Sequence, residues 1–324
     1  MTMIEDFGTG PAGEAVKAIT LSAGDLTVRI LTWGAAVQSV RLAGVAHDLT
    51  LGSDRLSDYL GDLMHHGTLI GPVVNRISGA SAVIGGVVHR FDVNFNGRHC
   101  LHSGVAGTHR QNWRLLSAGP ADCVLGLDLP AGAGGFPGNR TIRASFTLAA
   151  PASLTLTLTA RTDAETILNF ANHSYWNLDG SPTWAGHSLQ IAAEEWLPND
   201  ADFKPTGEVR AVAGSTMDFR TARVVRPGAP EFDTCFVLSR GQVPLRDVLW
   251  LRGTSGLGMT VATTEPGIQV YDQRVPARRG HQLFEGLAIE AQGWPDAPSH
   301  AHFPPITLRP AEERTQVTQW RFGR

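Results

Sequence analysis

From Ser153 to Ala160 the chain reads SLTLTLTA, leucines alternating with hydroxyl-bearing residues. A strict period of two sends successive side chains to opposite faces of an extended backbone, so the segment predicts a half-buried strand with one wet face. Short β-rich pieces recur along the chain: LTVRIL from residue 26, CVLGLDL from 123, TIRASFTL from 141, HSLQIAA from 187, VLWLRG from 248, MTVAT from 259 and QVTQWRF from 316. Each is bounded by turn residues. VIGGVVHRF predicts a hairpin about Gly85-Gly86, because paired glycines supply the positive φ that tight primed turns require. LSDYLGDLMHH is compatible with a short helix or a loop, and no long amphipathic helical pattern occurs anywhere. With 36 glycines and 19 prolines as punctuation, the pattern predicts an all-β protein, antiparallel sheets packed as a large sandwich. No Pro/Ser linker, composition break, internal repeat or low-complexity tract divides it. One β domain over residues 1–324 is the expectation.

Composition narrows the function classes. The 324 residues are 42% hydrophobic and 18% charged, enough to bury a sizeable core. A net charge of -3 with scattered arginines and lysines leaves no electrostatic footprint for nucleic acid or an anionic membrane surface, which favours a small neutral partner. Three widely spaced cysteines, Cys100, Cys123 and Cys235, lack CxxC spacing and form neither a disulfide framework nor a zinc ribbon. They point to reduced thiols in a cytosol. The N-terminal stretch MTMIEDFGTG has early acids and no apolar signal core, and no run approaches the ~20 apolar residues of a membrane span. A soluble, unprocessed cytoplasmic protein is expected, monomer or homodimer.

The candidate chemistry sits in separated segments. NFANHSYWNLDG places His173 in a loop after a β-like run. GPVVNRISGA carries Asn75 and Arg76, NGRHCLHSG carries His102, EFDTCFVL buries Asp233 and LAIEAQGWPDA puts Glu290 inside an apolar strand. HHG at His65-His66 and HCLH from His99 to His102 lack HExxH or paired CxxC spacing and read as solvated loop histidines rather than metal ligands. GAGGFPGNR from Gly132 to Arg140 lacks the Lys-Ser/Thr of a phosphate-binding loop and reads as a flexible loop near a site. No cofactor is expected.

These segments, in this order, resemble the aldose 1-epimerases, also called galactose mutarotases. The family's asparagine-arginine-isoleucine motif is matched by Asn75, Arg76 and Ile77, its leucine-histidine turn by Leu101 and His102, and its asparagine-histidine-serine-tyrosine motif by Asn172 through Tyr175. PGIQVYD resembles the segment bearing a substrate-contacting glutamine, here Gln269; IEAQGWPDA with FPPITLRPAEERTQVTQWRF resembles the C-terminal signature and puts the catalytic glutamate at Glu290. Departures stand at Pro72, Ser103 and Asp272-Gln273, where the family often has arginine, glycine and a threonine-x-asparagine. They bear on substrate preference, not on reaction class. The resemblance implies the galactose mutarotase-like supersandwich, a sandwich of many antiparallel strands.

The implied activity interconverts the α and β anomers of a free aldose through the open-chain aldehyde, which needs one base and one acid. A glutamate in an apolar strand has its pKa raised toward the range of an effective base, so Glu290 is the expected base. Histidine titrates near neutrality, so His173 is the expected acid, with His102 a second donor to the ring oxygen. Asn75, Arg76, Asp233 and Gln269 are expected to grip sugar hydroxyls, and Trp176 or another aromatic to stack on the pyranose. Three alternatives remain open: a glycoside hydrolase using Asp233 and Glu290, a non-catalytic sugar-binding protein, and a sugar 6-phosphate 1-epimerase. The last calls for clustered arginines; the sole adjacent pair, in ARRG from Ala277 to Gly280, reads as a solvated loop.

Overall fold

A computed structural model describes residues 3–275, 278 and 280–324. Every ladder between its strands is antiparallel, and the strands gather into three main sheets. A nine-stranded sheet runs in the order Arg114–Ala118, Asp122–Leu129, Arg140–Ala149, Ser153–Thr162, Arg314–Gly323, Gly258–Thr263, Arg246–Arg252, Ser188–Ile191 and Arg223–Val224. A six-stranded sheet runs Tyr175–Trp176, Leu287–Gln292, Gly267–Tyr271, Asp233–Val237, Glu195–Leu197 and Arg210–Ala211. Met3–Thr9, Ala15–Ala23, Leu26–Leu31 and Val37–Leu42 make a four-stranded meander. The large antiparallel β-sandwich expected from periodicity is the architecture found.

Each β-rich piece singled out above forms a strand, with HSLQIAA overrunning Ser188–Ile191 at both ends and VLWLRG overrunning Arg246–Arg252 by Gly253. Ser153–Thr162 alternates as its sequence demands, with leucines at 154, 156 and 158 buried and the intervening hydroxyls half-exposed. The hairpin pairs Ser81–Ile84 with Val87–Arg90, and Gly85 and Gly86 stand at φ 57° and 78°, the two positive angles of a tight primed turn. LSDYLGDLMHH resolves into a four-residue helix, Leu56–Tyr59, followed by turns. No helix among the described residues is long and apolar enough to cross a membrane.

The main core lies between the sheets, and alternation decides which residues enter it. From the six-stranded sheet Trp176, Leu287, Ile289, Ile268, Val270 and Phe236 join the leucines of Ser153–Thr162 and Trp320 in one apolar cluster. Residues of opposite parity on the same strands, Tyr175, Glu290 and Tyr271, face away from that core into a cavity.

Two loop readings change. The Gly132–Arg140 segment is a packed turn rather than a flexible loop near a site: Phe136 is fully buried, stacked on Phe91 at 4.4 Å, and Arg140 donates to the carbonyl of Pro130. It does not line the cavity. In ARRG, Ala277 and Arg279 lie outside the described residues. Arg278 is half-buried, not solvated: its guanidinium pairs with Glu285 and donates to the Gly52 carbonyl at 3.3 Å.

Candidate functional site

The cavity above the six-stranded sheet has a volume of about 740 Å³ and is lined by Asn75, Arg76, His102, His173, Asp233 and Glu290 together with residues from four other loops. Side chains more than 200 positions apart in the chain meet here because strand Leu287–Gln292 runs beside Tyr175–Trp176 on one side and Gly267–Tyr271 on the other.

His173 is placed by its backbone. Its N–H donates to the Thr68 carbonyl at 3.0 Å, and its carbonyl accepts from Gly67 N–H at 3.0 Å. Gly67 stands at φ 70°, where a Cβ would meet the Val37 carbonyl oxygen at 2.1 Å, so only glycine lets this segment approach so closely. Asn172 closes the arrangement, donating to the Gly67 carbonyl at 2.7 Å. The result directs His173 Nε2 at Glu290 Oε1 across 3.6 Å, with both side chains at most 5% exposed. His173 Nδ1 and Glu290 Oε2 have no protein partner.

Burial sets the charge state of this pair. Desolvation pushes the Glu290 carboxyl up to about 8, the charge of Asp233 adding to the rise and Arg76 opposing it. Desolvation also pulls His173 down to about 3, with His65 adding to the fall. Both shifts favour the uncharged forms, a protonated Glu290 beside a neutral His173 at neutral pH.

His102 is fixed as a neutral donor. Its Nδ1 accepts from the Asn75 backbone N–H at 3.1 Å, which leaves the ring proton on Nε2, and its own N–H donates to the Asn75 carbonyl at 2.9 Å. Burial holds its pKa well below the usual range. Asn75, His102 and Ser103 all have positive φ, at 66°, 53° and 62°, a concentration of backbone strain that a functional site retains. Ser103, where a glycine would be relaxed, is held by its hydroxyl, which donates to the Val73 carbonyl at 3.0 Å and accepts from Val73 N–H at 2.9 Å.

Arg76 and Asp233 form a buried ion pair at 3.1 Å, and Gln269 Nε2 donates to the other carboxylate oxygen of Asp233 at 2.7 Å. Gln269 lies beneath the cavity surface rather than in it. It acts on Asp233, and it faces Glu290 across the ladder. With both oxygens engaged, Asp233 is a poor nucleophile, which tells against a carboxylate-pair hydrolase. The arginines on the cavity wall are likewise compensated: Arg76 by Asp233, and Arg274 by Asp272 at 2.8 Å and Glu231 at 3.3 Å. Among the described residues no uncompensated arginine cluster on the cavity wall awaits a phosphate.

Trp176 departs from the expectation. It is fully buried in the main core, 6.0 Å from Trp320 and 5.6 Å from Phe322, because it is one residue out of phase with His173 and Tyr175. The aromatic surface of the cavity comes instead from Tyr175, Tyr271, Phe95 and Phe203. Phe203 is 39% exposed at the mouth, with the Arg76 and Arg274 guanidinium groups 5.5 Å and 5.4 Å from its ring. Tyr175 and Tyr271 were within reach of sequence reasoning, since they share parity with His173 and Gln269; Phe95 and Phe203 stand on loops that carry no such signal.

His65 and His66 are cavity residues, not solvated loop side chains. The His65 ring lies 4.8 Å from His102 and 5.7 Å from His173, and burial lowers its pKa to about 4. His66 is 3% exposed and stacks on Tyr175 at 4.1 Å. His99 is also buried; it accepts from Gly79 N–H at 3.1 Å and meets Asp202 at 3.2 Å. Among the described residues no three His, Cys, Asp or Glu side chains are arranged to hold a metal. Of the sequence departures, Pro72 and Asp272 do not reach the cavity: Asp272 is turned away to accept from Phe232 N–H at 2.9 Å, whereas its neighbour Gln273 lines the wall.

Comparison with known proteins places this geometry. The family described as Aldose 1-epimerase matches residues 17–321. Galactose mutarotase of Bos taurus is 32% identical over 98% of this chain and 97% of its own length, and aldose 1-epimerase of Escherichia coli is 29% identical over 96% of each. Among solved structures, an aldose epimerase homologue from C. elegans superposes with a TM-score of 0.88 at 27% identity, covering 95% of this chain and 99% of that one. Galactose 1-epimerase from Lactobacillus acidophilus shares the fold, with a TM-score of 0.86 at 24% identity over 100% of this chain and 98% of that one.

Proposed function

The chain belongs to the aldose 1-epimerase family, and on that premise we propose that its cavity interconverts the anomers of a free aldose with Glu290 as base and His173 as acid. The observation that carries this reading is the buried His173–Glu290 pair at 3.6 Å, whose carboxyl is raised and whose imidazole is lowered by burial. Ring opening removes a proton from O1 and delivers one to O5; closure on the other face of C1 reverses both transfers. A pair that shares one proton is restored after each turnover, so no net proton exchange with solvent is required. In the reacting state the proton moves from Glu290 to His173, and the carboxylate takes the O1 proton while the imidazolium supplies O5.

The surrounding groups support this assignment. His102, neutral and protonated on Nε2, donates a second hydrogen bond to the ring-oxygen region. Asn75, Arg76 and Asp233 offer donors and acceptors for ring hydroxyls, and Gln269 holds Asp233 in place. The sugar lies against Tyr271, Phe95 and Phe203 rather than a tryptophan. All three cysteines are free and buried, which supports a cytosolic setting.

Polarimetry of freshly dissolved single anomers tests the function. Purified protein with chelator present speeds the rotation change of at least one pure aldose above its spontaneous rate. Cleavage of an aryl glycoside without any response from free aldoses would replace this reading by a hydrolase.

A further inference from the structure

Two polar side chains at one end of the cavity have no task in the reaction above. His66 is 3% exposed and neither of its ring nitrogens has a partner; Gln273 is 2% exposed and its Nε2 has none. Both line the cavity and both flank Tyr175. The His66 ring stacks on the tyrosine at 4.1 Å, and Gln273 Oε1 accepts at 2.9 Å from Gly286 N–H, a residue whose Cβ position lies 2.9 Å from Tyr175 Cβ. Gln273 holds φ 52°, so the backbone is strained in presenting this amide. Buried donors and acceptors without partners are rare in proteins, and two such side chains lining one ligand cavity beside the same tyrosine point to ligand atoms as their partners.

The sheet register says which part of the sugar reaches them. Tyr175, Ala288, Tyr271 and Asp233 stand in one cross-strand row, so Tyr175 and Asp233 are three strand spacings apart, about 14 Å. Glu290 addresses C1 and His173 addresses O5. His173 lies at the Tyr175 end, its ring 5.0 Å from that tyrosine. The pyranose atoms beyond O5, namely C5 and its exocyclic carbon, therefore point toward Tyr175, while those beyond C1 point toward Asp233 and Arg76.

We propose that His66 and Gln273 form a subsite for the C6 hydroxyl of an aldohexose and so select hexoses over pentoses and 6-deoxyhexoses. This rests on the assignment of Glu290 and His173 above. The Gln273 amide donates to O6, and the O6 proton is donated to a ring nitrogen of His66, which burial keeps unprotonated. One hydroxyl thereby pairs the Gln273 amide with one ring nitrogen of His66, and a sugar lacking it leaves both of those atoms buried and unpaired.

The test compares D-galactose with D-fucose, its 6-deoxy form, and with L-arabinose, which lacks C6. Wild-type kcat/KM favours D-galactose by about tenfold or more, the scale expected when polar groups are left unpaired. His66→Phe preserves the stack on Tyr175 and removes both nitrogens; Gln273→Met removes the amide donor. Each variant brings the galactose-to-fucose ratio toward one. Should Gln273→Met not fold, His66→Phe alone decides. Equal wild-type kcat/KM for the two sugars, or variants that slow both by the same factor, overturns the subsite and leaves the mutarotase reading standing. No acceleration of any aldose by wild type overturns both.

Discussion

His173 Nε2 stands 3.6 Å from Glu290 Oε1 in a pocket where both side chains are almost closed to solvent. At this separation the two groups titrate as a unit, and the proton count of the pair matters more than either residue alone.

The pH dependence follows. With ordinary values of about 4.3 for glutamate and 6.5 for histidine, an exposed carboxylate and imidazolium would coexist only in a narrow bell. Burial instead raises Glu290 to about 8 and lowers His173 to about 3, so the one-proton state spans the interval between them. A second proton enters only near the lower limit, and the shared proton is lost above the upper one. kcat/KM, corrected for spontaneous mutarotation, is expected to stay level from about pH 4 to pH 7 and to fall above pH 8. A narrow bell centred near pH 5 to 6 contradicts the burial-widened window.

The two histidines differ in role. His173 meets the base directly, whereas His102 Nδ1 is tied to the Asn75 backbone and only Nε2 is free to donate. His173→Asn is therefore expected to lower kcat by about tenfold or more relative to His102→Asn, within the 10²–10⁴-fold range of acid-base groups. His102→Asn raises KM and does so unequally between aldoses. Steady-state kinetics on two aldoses, with folding checked by circular dichroism, decides; a larger kcat loss in His102→Asn reverses the roles.

The aromatic residues separate stability from binding. Trp176→Ala opens a cavity in the main core and is expected to cost about 3–5 kcal/mol of stability, read as a lower urea midpoint, with KM of the remaining folded protein little changed. Phe203→Ala does the opposite: at the mouth it supports no core, so stability holds while KM rises by about threefold to tenfold, the worth of one aromatic contact. A KM effect from Trp176 without loss of stability returns that residue to the binding surface.

Periodicity made the strands legible, because a run such as Ser153–Thr162 commits its faces residue by residue. The family motifs brought Asn75, Arg76, His102, His173, Asp233 and Glu290 to notice, and these do line one cavity. Phase within the shortest strands was less visible. Tyr175–Trp176 is two residues long, too short to show its own alternation, so sequence alone does not tell which of the two aromatics faces the sugar. His65 and His66 follow a four-residue helix and a series of turns whose path depends on distant contacts, such as the Gly67–Val37 approach. Phe203 reaches the mouth through a left-handed backbone, φ 57°, held by a loop of its own hydrogen bonds, including Phe203 N–H to the Asp200 carbonyl at 3.1 Å. No local pattern announces such a position.

The central claim is that Glu290 removes the anomeric proton. Glu290→Gln keeps the shape of the side chain and abolishes the base, so mutarotation of a single pure anomer of D-galactose, followed by polarimetry beside a calorimetric measurement of sugar binding, addresses it most directly. The account predicts a loss in kcat of about 10²-fold or more with sugar binding retained. Wild-type turnover in the folded variant would contradict it and remove Glu290 from the mechanism.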